Sequence, residues 1–215
     1  GAGLRKTGRA RKWWRAWVSG RKVEDVEVLS LFLLLIDAGG DTTRNLLSAG
    51  MIALLENPDQ LAWLMADLPG RLATAREELL RWCSPVIYMR RRATHDVEIA
   101  GTKLKAGDKA VMYFGAANRD AAKFDRAAKL DLSRTPNEHI AFGTGPHGCL
   151  GQHIARIEID AMQVDVLTHM KDFRLAAQPK WLPSNFNSVP PSLTAHINIC
   201  RNMAAFLNFF RLTPD

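Results

Sequence analysis

The sequence AFGTGPHGCLGQHIAR, residues 141–156, places Cys149 in a glycine-rich stretch directly before a predicted helix. Such a cysteine can act as a nucleophile, a zinc ligand, a small buried apolar residue or a ligand to a larger group. His147 has the chemistry to act as a base for a nucleophile, and His147 and His153, with His139 nearby, have the chemistry to bind zinc. Neither use has full support, because zinc lacks a Cys-x-x-Cys partner and a nucleophile lacks an evident oxyanion arrangement or third group.

The backbone around Cys149 favours a ligand to a larger group. A helix that begins beside a cysteine stabilises the thiolate through its dipole and its first N–H groups, here those of Leu150 and Gly151. Gly143, Gly145 and Gly151 let the chain fold tightly around the sulfur and point N–H donors at it. A single open-faced thiolate in an apolar setting suits an axial ligand to haem iron, which brings its other ligands with it.

A second motif, AGGDTT at residues 38–43, lies inside a long predicted helix. Adjacent glycines cost about 1 kcal/mol each in a helix interior, so they are expected where something approaches the backbone closely. Thr42 can hydrogen-bond backward and bend the helix, and Asp41 is an unusual ionisable residue in an apolar stretch. A packing contact with a crossing helix, with Asp41 on the outer face, explains the same residues equally well.

A third motif, EELLR at residues 77–81, places Glu78 and Arg81 three positions apart on one helix face. Glu77 and Arg81, four positions apart, form a competing pair. Taken alone, this motif predicts a surface ion pair.

The elements that must position these motifs are mostly helical. Apolar periodicity predicts helices over residues 23–55, 58–68, 70–83 and 150–170, with Asn57 capping the second. The first half of the long helix is apolar on most sides and is expected to be central. Residues 88–115 predict short antiparallel strands, 118–140 a long irregular segment, and the tail from 171 short strands and coil. The chain is therefore expected to be mainly α, an α-rich α+β protein.

The net charge of +7 belongs to one end of the chain. Residues 1–22 hold eight Lys or Arg and no acid, interleaved with Trp13, Trp14 and Trp17, and the rest is nearly neutral. This segment is expected to be a solvated stretch rather than a nucleic-acid or membrane-surface site. The apolar run 29–36 is too short for a membrane span. Three cysteines and no visible signal peptide indicate the cytoplasm.

These motifs together resemble the cytochrome P-450 family of haem-thiolate monooxygenases. FGTGPHGCLG (142–151) is similar to the family's haem-binding loop, AGGDTT to its oxygen-activation motif, and ELLR to its E-x-x-R motif. The resemblance runs from about Val23 to Phe186 and implies the carboxyl-terminal half of the P-450 fold: a long central helix, further helices, a small antiparallel strand region, and the cysteine loop with its following helix. The expected divisions are a basic segment (1–22), this half domain (23–186) and a divergent tail (187–215).

The resemblance also implies residue roles around a haem b cofactor. Cys149 would ligate the iron, Phe142 would pack against sulfur and haem, and His147 and Arg91 would contact the propionates. The remaining implied residues are Gly143 and Gly151 in the haem loop, Gly39 making room for dioxygen, Thr42 and Asp41 in oxygen activation and proton relay, Glu78 and Arg81 as a structural pair, and Ile36, Ala38, Val86 and Ile87 lining the substrate pocket.

One departure from the family concerns the third partner of the Glu–Arg pair. The family supplies an arginine from a segment that corresponds here to AAKLD (127–131), which offers Lys129 instead. A lysine lacks the bidentate geometry of a guanidinium group, so an incomplete network is expected.

The function implied is insertion of one oxygen atom of O₂ into a C–H bond of an apolar steroid, terpene or alkyl chain. Electrons would come from NAD(P)H through a ferredoxin reductase and a ferredoxin docking on Lys123, Arg126 and Arg134. No nucleic-acid partner and no membrane span are expected. The alternatives are a truncated, inactive haem-domain fragment, and a non-catalytic zinc or nucleic-acid module built on His147, Cys149, His153 and the basic start.

Overall fold

The structure, a computed structural model, describes residues 17–18, 21–175, 181 and 195–199. Most of the basic segment and of the divergent tail lies outside these residues, so both divisions stay predictions. The chain divides into two compact units, residues 1–41 and 42–215. None of the helices within the described residues is long and apolar enough to cross a membrane.

Five α-helices form the larger elements within the described residues: α1 Asp25–Glu56, α2 Pro58–Ala66, α3 Leu68–Cys83, α4 Phe114–Ala117 and α5 Gln152–His169. Each of the predicted helices is present, with ends displaced by a few residues. Asn57 occupies the predicted N-cap position of α2, but its side chain makes no capping bond to that helix. Its Nδ2 instead donates to the carbonyl of Ala53 at 2.8 Å, near the end of α1.

Short antiparallel pairs account for the strands in the described residues. They are β1 Trp17–Val18 with β2 Arg21–Lys22, β3 Tyr88–Arg92 with β6 Lys109–Tyr113, β4 Val97–Ile99 with β5 Thr102–Leu104, and β7 Met170–Leu175 with β8 Ala195–Ile199. The β4–β5 turn has positive φ at Ala100 and Gly101 (49° and 78°), as a tight hairpin requires. The predicted mixture of helices and small antiparallel sheets is confirmed.

In the first unit, α1 exposes the apolar residues of its first half. Residues 26–36 include eight large apolar side chains that are between 49% and 67% exposed: Val26, Leu29, Leu31, Phe32, Leu33, Leu34, Leu35 and Ile36. A helix that is apolar on most sides is typical of a protein interior. This stretch therefore combines the composition of a buried helix with an exposed surface.

In the second unit, α3 contributes to two apolar clusters. Leu79 belongs to a cluster with residues of α1, α2 and the irregular segment, including Leu54 and Leu132. Leu80 belongs to a cluster with Leu46, Leu47, Ala141 and Ile159, against which Phe142 packs. Because neighbouring side chains of α3 enter both clusters, this helix ties the cysteine loop and α5 to the rest of the unit.

Candidate functional site

The cysteine loop is a closed backbone structure. The N–H of Cys149 donates to the carbonyl of Phe142 at 2.8 Å, which joins the two ends of the loop. Gly143 and Gly145 have φ of +69° and +68°, values that side chains other than glycine adopt at a cost. Gly145–His147 form one turn of 3-10 helix just before Cys149. The loop therefore holds Cys149 at a fixed place in front of α5.

The start of α5 leaves the cysteine open to solvent. Cys149 is an exposed, free thiol, and the helix begins at Gln152 rather than at the predicted residue 150. A side-chain carbon built on Gly151 would meet no atom within 4 Å. Leu150, Ile154 and Ile157 follow at helical spacing and are 85%, 65% and 68% exposed. A single thiol thus stands beside exposed apolar side chains.

The three histidines near the cysteine lie in different environments. His147 is exposed on the 3-10 helix and His153 is exposed in the first turn of α5. The side chain of His139 is only 4% exposed, and its Nε2 bonds a carboxylate oxygen of Glu77 at 3.0 Å. Within the described part of the chain, no group of three or more His, Cys, Asp or Glu residues is placed to hold a metal ion.

Glu78 and Arg81 form a fully buried pair, not the surface pair that the motif alone predicts. Nε of Arg81 lies 2.7 Å from Oε2 of Glu78, and Nη2 lies 2.8 Å from Oε1, so the pair is bidentate. The remaining N–H groups of Arg81 donate to the carbonyls of Asn118, Ala127 and Lys129. These bonds connect α3 to the irregular segment that precedes the cysteine loop.

The expected gap in the Glu–Arg network is absent, because Arg134 fills it. Nε of Arg134 lies 3.0 Å from Oε2 of Glu78. Lys129, the predicted substitute, contributes only its backbone carbonyl, to Arg81 at 3.0 Å and to Arg134 at 3.4 Å. The prediction of an incomplete network is therefore wrong. Arg134 is also 8% exposed, which removes it from the predicted docking surface.

The other two residues of that docking surface are exposed but paired with acids. Lys123 forms an ion pair with Glu138. Arg126 forms ion pairs with Asp125 and Asp131, at 3.0 and 2.8 Å. The net positive charge of the predicted docking surface is therefore smaller than its basic residues alone suggested.

Asn118 is a buried site residue that the sequence did not single out. Its Nδ2 donates to the hydroxyl of Ser84 at 2.9 Å, and its Oδ1 accepts from the N–H of Ile140 at 2.8 Å. The Ser84 hydroxyl in turn donates to the carbonyl of Arg81. One amide side chain thus links the end of α3 to the entrance of the cysteine loop. The only sequence signal for Asn118 is that it is a polar residue shortly after the predicted strand region.

The AGGDTT motif lies within α1, whose helical structure continues through it. A side-chain carbon built on Gly39 would meet no atom within 4 Å, so there is open space beside the backbone. Ile36 and Ala38 are exposed, and Asp41 is half-buried. These residues belong to the first unit, while Thr42, also half-buried, begins the second.

The remaining predicted residues lie on and beside the β3–β6 sheet. Val86 and Ile87 are half-buried between α3 and β3. Ile87 accepts a backbone bond from Phe114 at 3.0 Å. Arg91 is exposed on β3, and its Nη1 donates to the carbonyl of Arg90, so its guanidinium group is open to a ligand.

The fold and site together define a class of protein: a helical chain with small antiparallel sheets, a buried Glu–Arg network and one exposed thiol in a glycine-rich loop. The sequence pattern of the family described as Cytochrome P450 matches residues 71–195. The chain belongs to the cytochrome P450 family.

Its similarity to curated relatives is extensive within the matched region. It is 42% identical over 172 residues to a methyl-branched lipid omega-hydroxylase of Mycobacterium tuberculosis, covering 80% of this chain and 40% of that protein. It is 44% identical over 166 residues to a steroid C26-monooxygenase of the same species, covering 77% and 42%. The chain thus spans about two fifths of the length of these relatives.

Solved structures give the same result for the fold. Cytochrome P450 CYP268A2 of Mycobacterium marinum, in complex with pseudoionone, is 42% identical with a TM-score of 0.78, covering 82% of this chain and 42% of that chain. CYP109E1 of Bacillus megaterium, in complex with testosterone, is 34% identical with a TM-score of 0.77, covering 83% and 50%. The P450 resemblance and the expected fold are confirmed.

The family implies a haem cofactor, and the residues of the cysteine loop fit one. Cys149 supplies one exposed sulfur, which is the donor that haem-thiolate ligation requires from a protein. The open space at Gly151 and the exposed Leu150 and Ile154 present little bulk and an apolar surface beside that sulfur. This surface is compatible with a flat, apolar macrocycle lying close to the loop.

Proposed function

We propose that this chain is the haem-binding portion of a cytochrome P450 monooxygenase, in which the Cys149 thiolate would hold the iron of haem b. The observation that carries the proposal is the exposed Cys149 thiol, held in a glycine-rich loop by the bond from its N–H to the Phe142 carbonyl. Bound haem would supply the oxygen-activating chemistry, and the thiolate would favour cleavage of the O–O bond.

The other residues of the cysteine loop would hold the cofactor and keep water away from it. Phe142 would cover the sulfur on the protein side, and Gly143 and Gly151 would allow the macrocycle to approach the backbone. His147 and Arg91 are both exposed, so they would be available to bind the propionates through charge-assisted hydrogen bonds.

The AGGDTT residues would serve oxygen activation. Gly39 would leave room for dioxygen, and Thr42 and Asp41 would donate and relay protons. Ile36, Ala38, Val86 and Ile87 would line the substrate pocket with apolar surface. These roles are supported by the family and by the residue types.

The reaction consumes one O₂, one NAD(P)H, one proton and an apolar substrate R–H, and yields R–OH, water and NAD(P)⁺. One oxygen atom enters the C–H bond, and the other leaves as water after receiving two electrons. A lipid with a branched alkyl chain or a steroid side chain is the substrate class that the names of the relatives support. A ferredoxin and its reductase would deliver the electrons. The use of a ferredoxin and its reductase, and a cytoplasmic location, are supported by the family alone.

The test is to express the chain with haem available and record the spectrum of the reduced, carbon monoxide-bound form. We expect the Soret shift of thiolate ligation, lost in Cys149→Ala and kept in Cys83→Ala. A colourless chain, or a spectrum that survives Cys149→Ala, would reject the proposal. Loose haem binding by a chain with two fifths of its relatives' length would support the inactive-fragment alternative for the isolated chain.

A further inference from the structure

Glu77 connects the helix of the E-x-x-R motif to both sides of the cysteine loop. Its Oε1 lies 2.8 Å from Nε of Arg156, and its Oε2 lies 2.9 Å from Nη2 of the same residue. Oε2 also lies 3.0 Å from Nε2 of His139, and Oε1 lies 2.8 Å from Nε of Arg76. One carboxylate on α3 therefore holds a residue of α5 and a residue at the entrance to the loop.

The hydrogen bonds define the roles of these groups. The N–H of Ala141 donates to Nδ1 of His139 at 3.2 Å, so the proton of the neutral imidazole lies on Nε2 and is donated to Glu77. Burial opposes ionisation of Glu77, but the bonds from His139, Arg156 and Arg76 outweigh it and hold the pKa of that carboxyl well below its usual range. Glu77 is therefore a stable anion at neutral pH.

Arg156 connects Glu77 to the cysteine in two ways. Its guanidinium carbon lies 4.6 Å from the centre of the Phe142 ring, within the range of a cation–π contact, and Phe142 accepts the backbone bond of Cys149. The hydrogen bonds to Glu77 chiefly raise the pKa of Arg156, burial opposes this, and Coulombic interactions with Glu77 and Cys149 add to the rise. The guanidinium group thus touches the ring that anchors the loop and also interacts electrostatically with the sulfur.

We propose that Glu77 and Arg156 are positioning residues for Cys149, which set both the place of the thiolate and the charge around it. Glu77 fixes the guanidinium plane with a bidentate bond. Arg156 then supports Phe142 and places a positive charge near the sulfur. The part of this inference that concerns the cofactor rests on the proposed function, because it requires haem iron bound to that sulfur.

The charges predict shifts of opposite sign in the reduction potential of bound haem. Removing the positive charge in Arg156→Gln disfavours the reduced iron and lowers the potential. Removing the negative charge in Glu77→Gln leaves Arg156 without its counter-ion and raises the potential. Arg156→Lys keeps the charge but loses the bidentate geometry, so it is expected to shift the potential less than Arg156→Gln. A purely structural role would loosen the loop in both neutral variants and would not separate their signs.

The first experiment uses the haem-loaded chain and compares the reduction potentials of the wild type, Glu77→Gln, Arg156→Gln and Arg156→Lys. Arg92→Gln, which removes an exposed arginine of β3, is the matched control. Opposite shifts for Glu77→Gln and Arg156→Gln, each larger than that of the control, support the proposal. Shifts of the same sign, or no difference from the control, overturn it.

The second experiment needs no haem and measures amide hydrogen exchange over residues 140–152. We expect exchange of the Cys149 N–H to accelerate roughly tenfold or more in Arg156→Gln, because its partner Phe142 loses support. The control is expected to match the wild type. Unchanged exchange in Arg156→Gln overturns the positioning role, even if haem binds normally. Failure of haem to bind rejects the proposed function, but the exchange measurement on the haem-free chain remains valid.

Discussion

Nε of Arg134 lies 3.0 Å from Oε2 of Glu78, in the interior of the second unit. The same oxygen accepts from Nε of Arg81 at 2.7 Å and from the Asn137 amide at 3.0 Å. The backbone N–H of Asp131 donates to the other oxygen of Glu78 at 2.9 Å. A single carboxylate on α3 therefore binds two arginines and the backbone of the irregular segment. These bonds fix the position of the segment that leads into the cysteine loop.

The first prediction separates Arg134 from Lys129. Arg134→Ala leaves the Glu78 charge buried with fewer partners, so we expect a loss of about 3 kcal/mol in the free energy of unfolding. Lys129→Ala keeps the backbone carbonyl that Arg81 and Arg134 use, and a surface truncation is expected to change stability by less than about 0.5 kcal/mol. Urea denaturation of both variants measures the difference. Equal losses would show that the lysine side chain contributes to the network.

The contrast between Glu78 and Arg134 shows what the sequence can predict. Glu78 and Arg81 lie three positions apart on one helix, so their pairing follows from helix geometry. Arg134 is 56 positions from Glu78, and its approach depends on how an irregular segment folds back. Because no local sequence pattern predicts how that segment folds back, the position of the motif indicated Lys129 as the partner. In the structure, Lys129 contributes its backbone carbonyl to the network and not its charged side chain.

The same distinction holds for the cysteine loop. Its glycines and its cysteine lie within residues 142–151, so a short sequence was enough to predict a tight loop around an exposed sulfur. Two of the three partners of Glu77, His139 and Arg156, lie 62 and 79 positions away. The sequence offered Glu77 only a competing pairing with Arg81 on the same helix. Arg81 is fully occupied by Glu78 and by backbone carbonyls, so the partner of Glu77 on its own helix is Arg76 and not Arg81.

The second prediction concerns the acid sensitivity of the Glu77 cluster. The pKa of Glu77 is held well below its ordinary value of 4.5, where burial is outweighed by the bonds from His139, Arg156 and Arg76. A carboxyl with a depressed folded-state pKa contributes stability that is present above pH 4.5 and is lost as the pH falls below it. We expect the unfolding free energy of the wild type to fall more steeply below this pH than that of Glu77→Gln. Denaturation curves at several pH values check this, and parallel pH profiles would contradict it.

The third prediction compares the two described cysteines in the haem-free chain. Cys149 is exposed, whereas burial raises the pKa of Cys83 to about 12, with Glu78 adding to the shift and Arg119 opposing it. Since the thiolate is the reactive form, iodoacetamide at pH 8 is expected to modify Cys149 and to leave Cys83 intact. Peptide mapping by mass spectrometry assigns the modified residue. In denaturant both are expected to react, and rapid modification of Cys83 in the folded chain would contradict the structure.

The same reagent provides a direct test of the sulfur as a ligand. Haem added before iodoacetamide is expected to protect Cys149, because a sulfur bound to iron is no longer a free nucleophile. Iron-free protoporphyrin is the control, since it covers the same surface without forming the bond. Equal protection by both compounds would indicate steric cover alone.

The last prediction uses two glycines of the cysteine loop that differ in backbone conformation. Gly143 has φ of +69°, so Gly143→Ala is expected to cost roughly 1–2 kcal/mol of unfolding free energy in the haem-free chain. Gly151 has neither a positive φ nor a nearby atom to meet a side-chain carbon. Gly151→Ala is therefore expected to leave stability nearly unchanged, while weakening haem binding if the macrocycle occupies the space beside Cys149. Denaturation and haem titration of both variants separate the two effects. Tight haem binding by Gly151→Ala would place the macrocycle away from this residue.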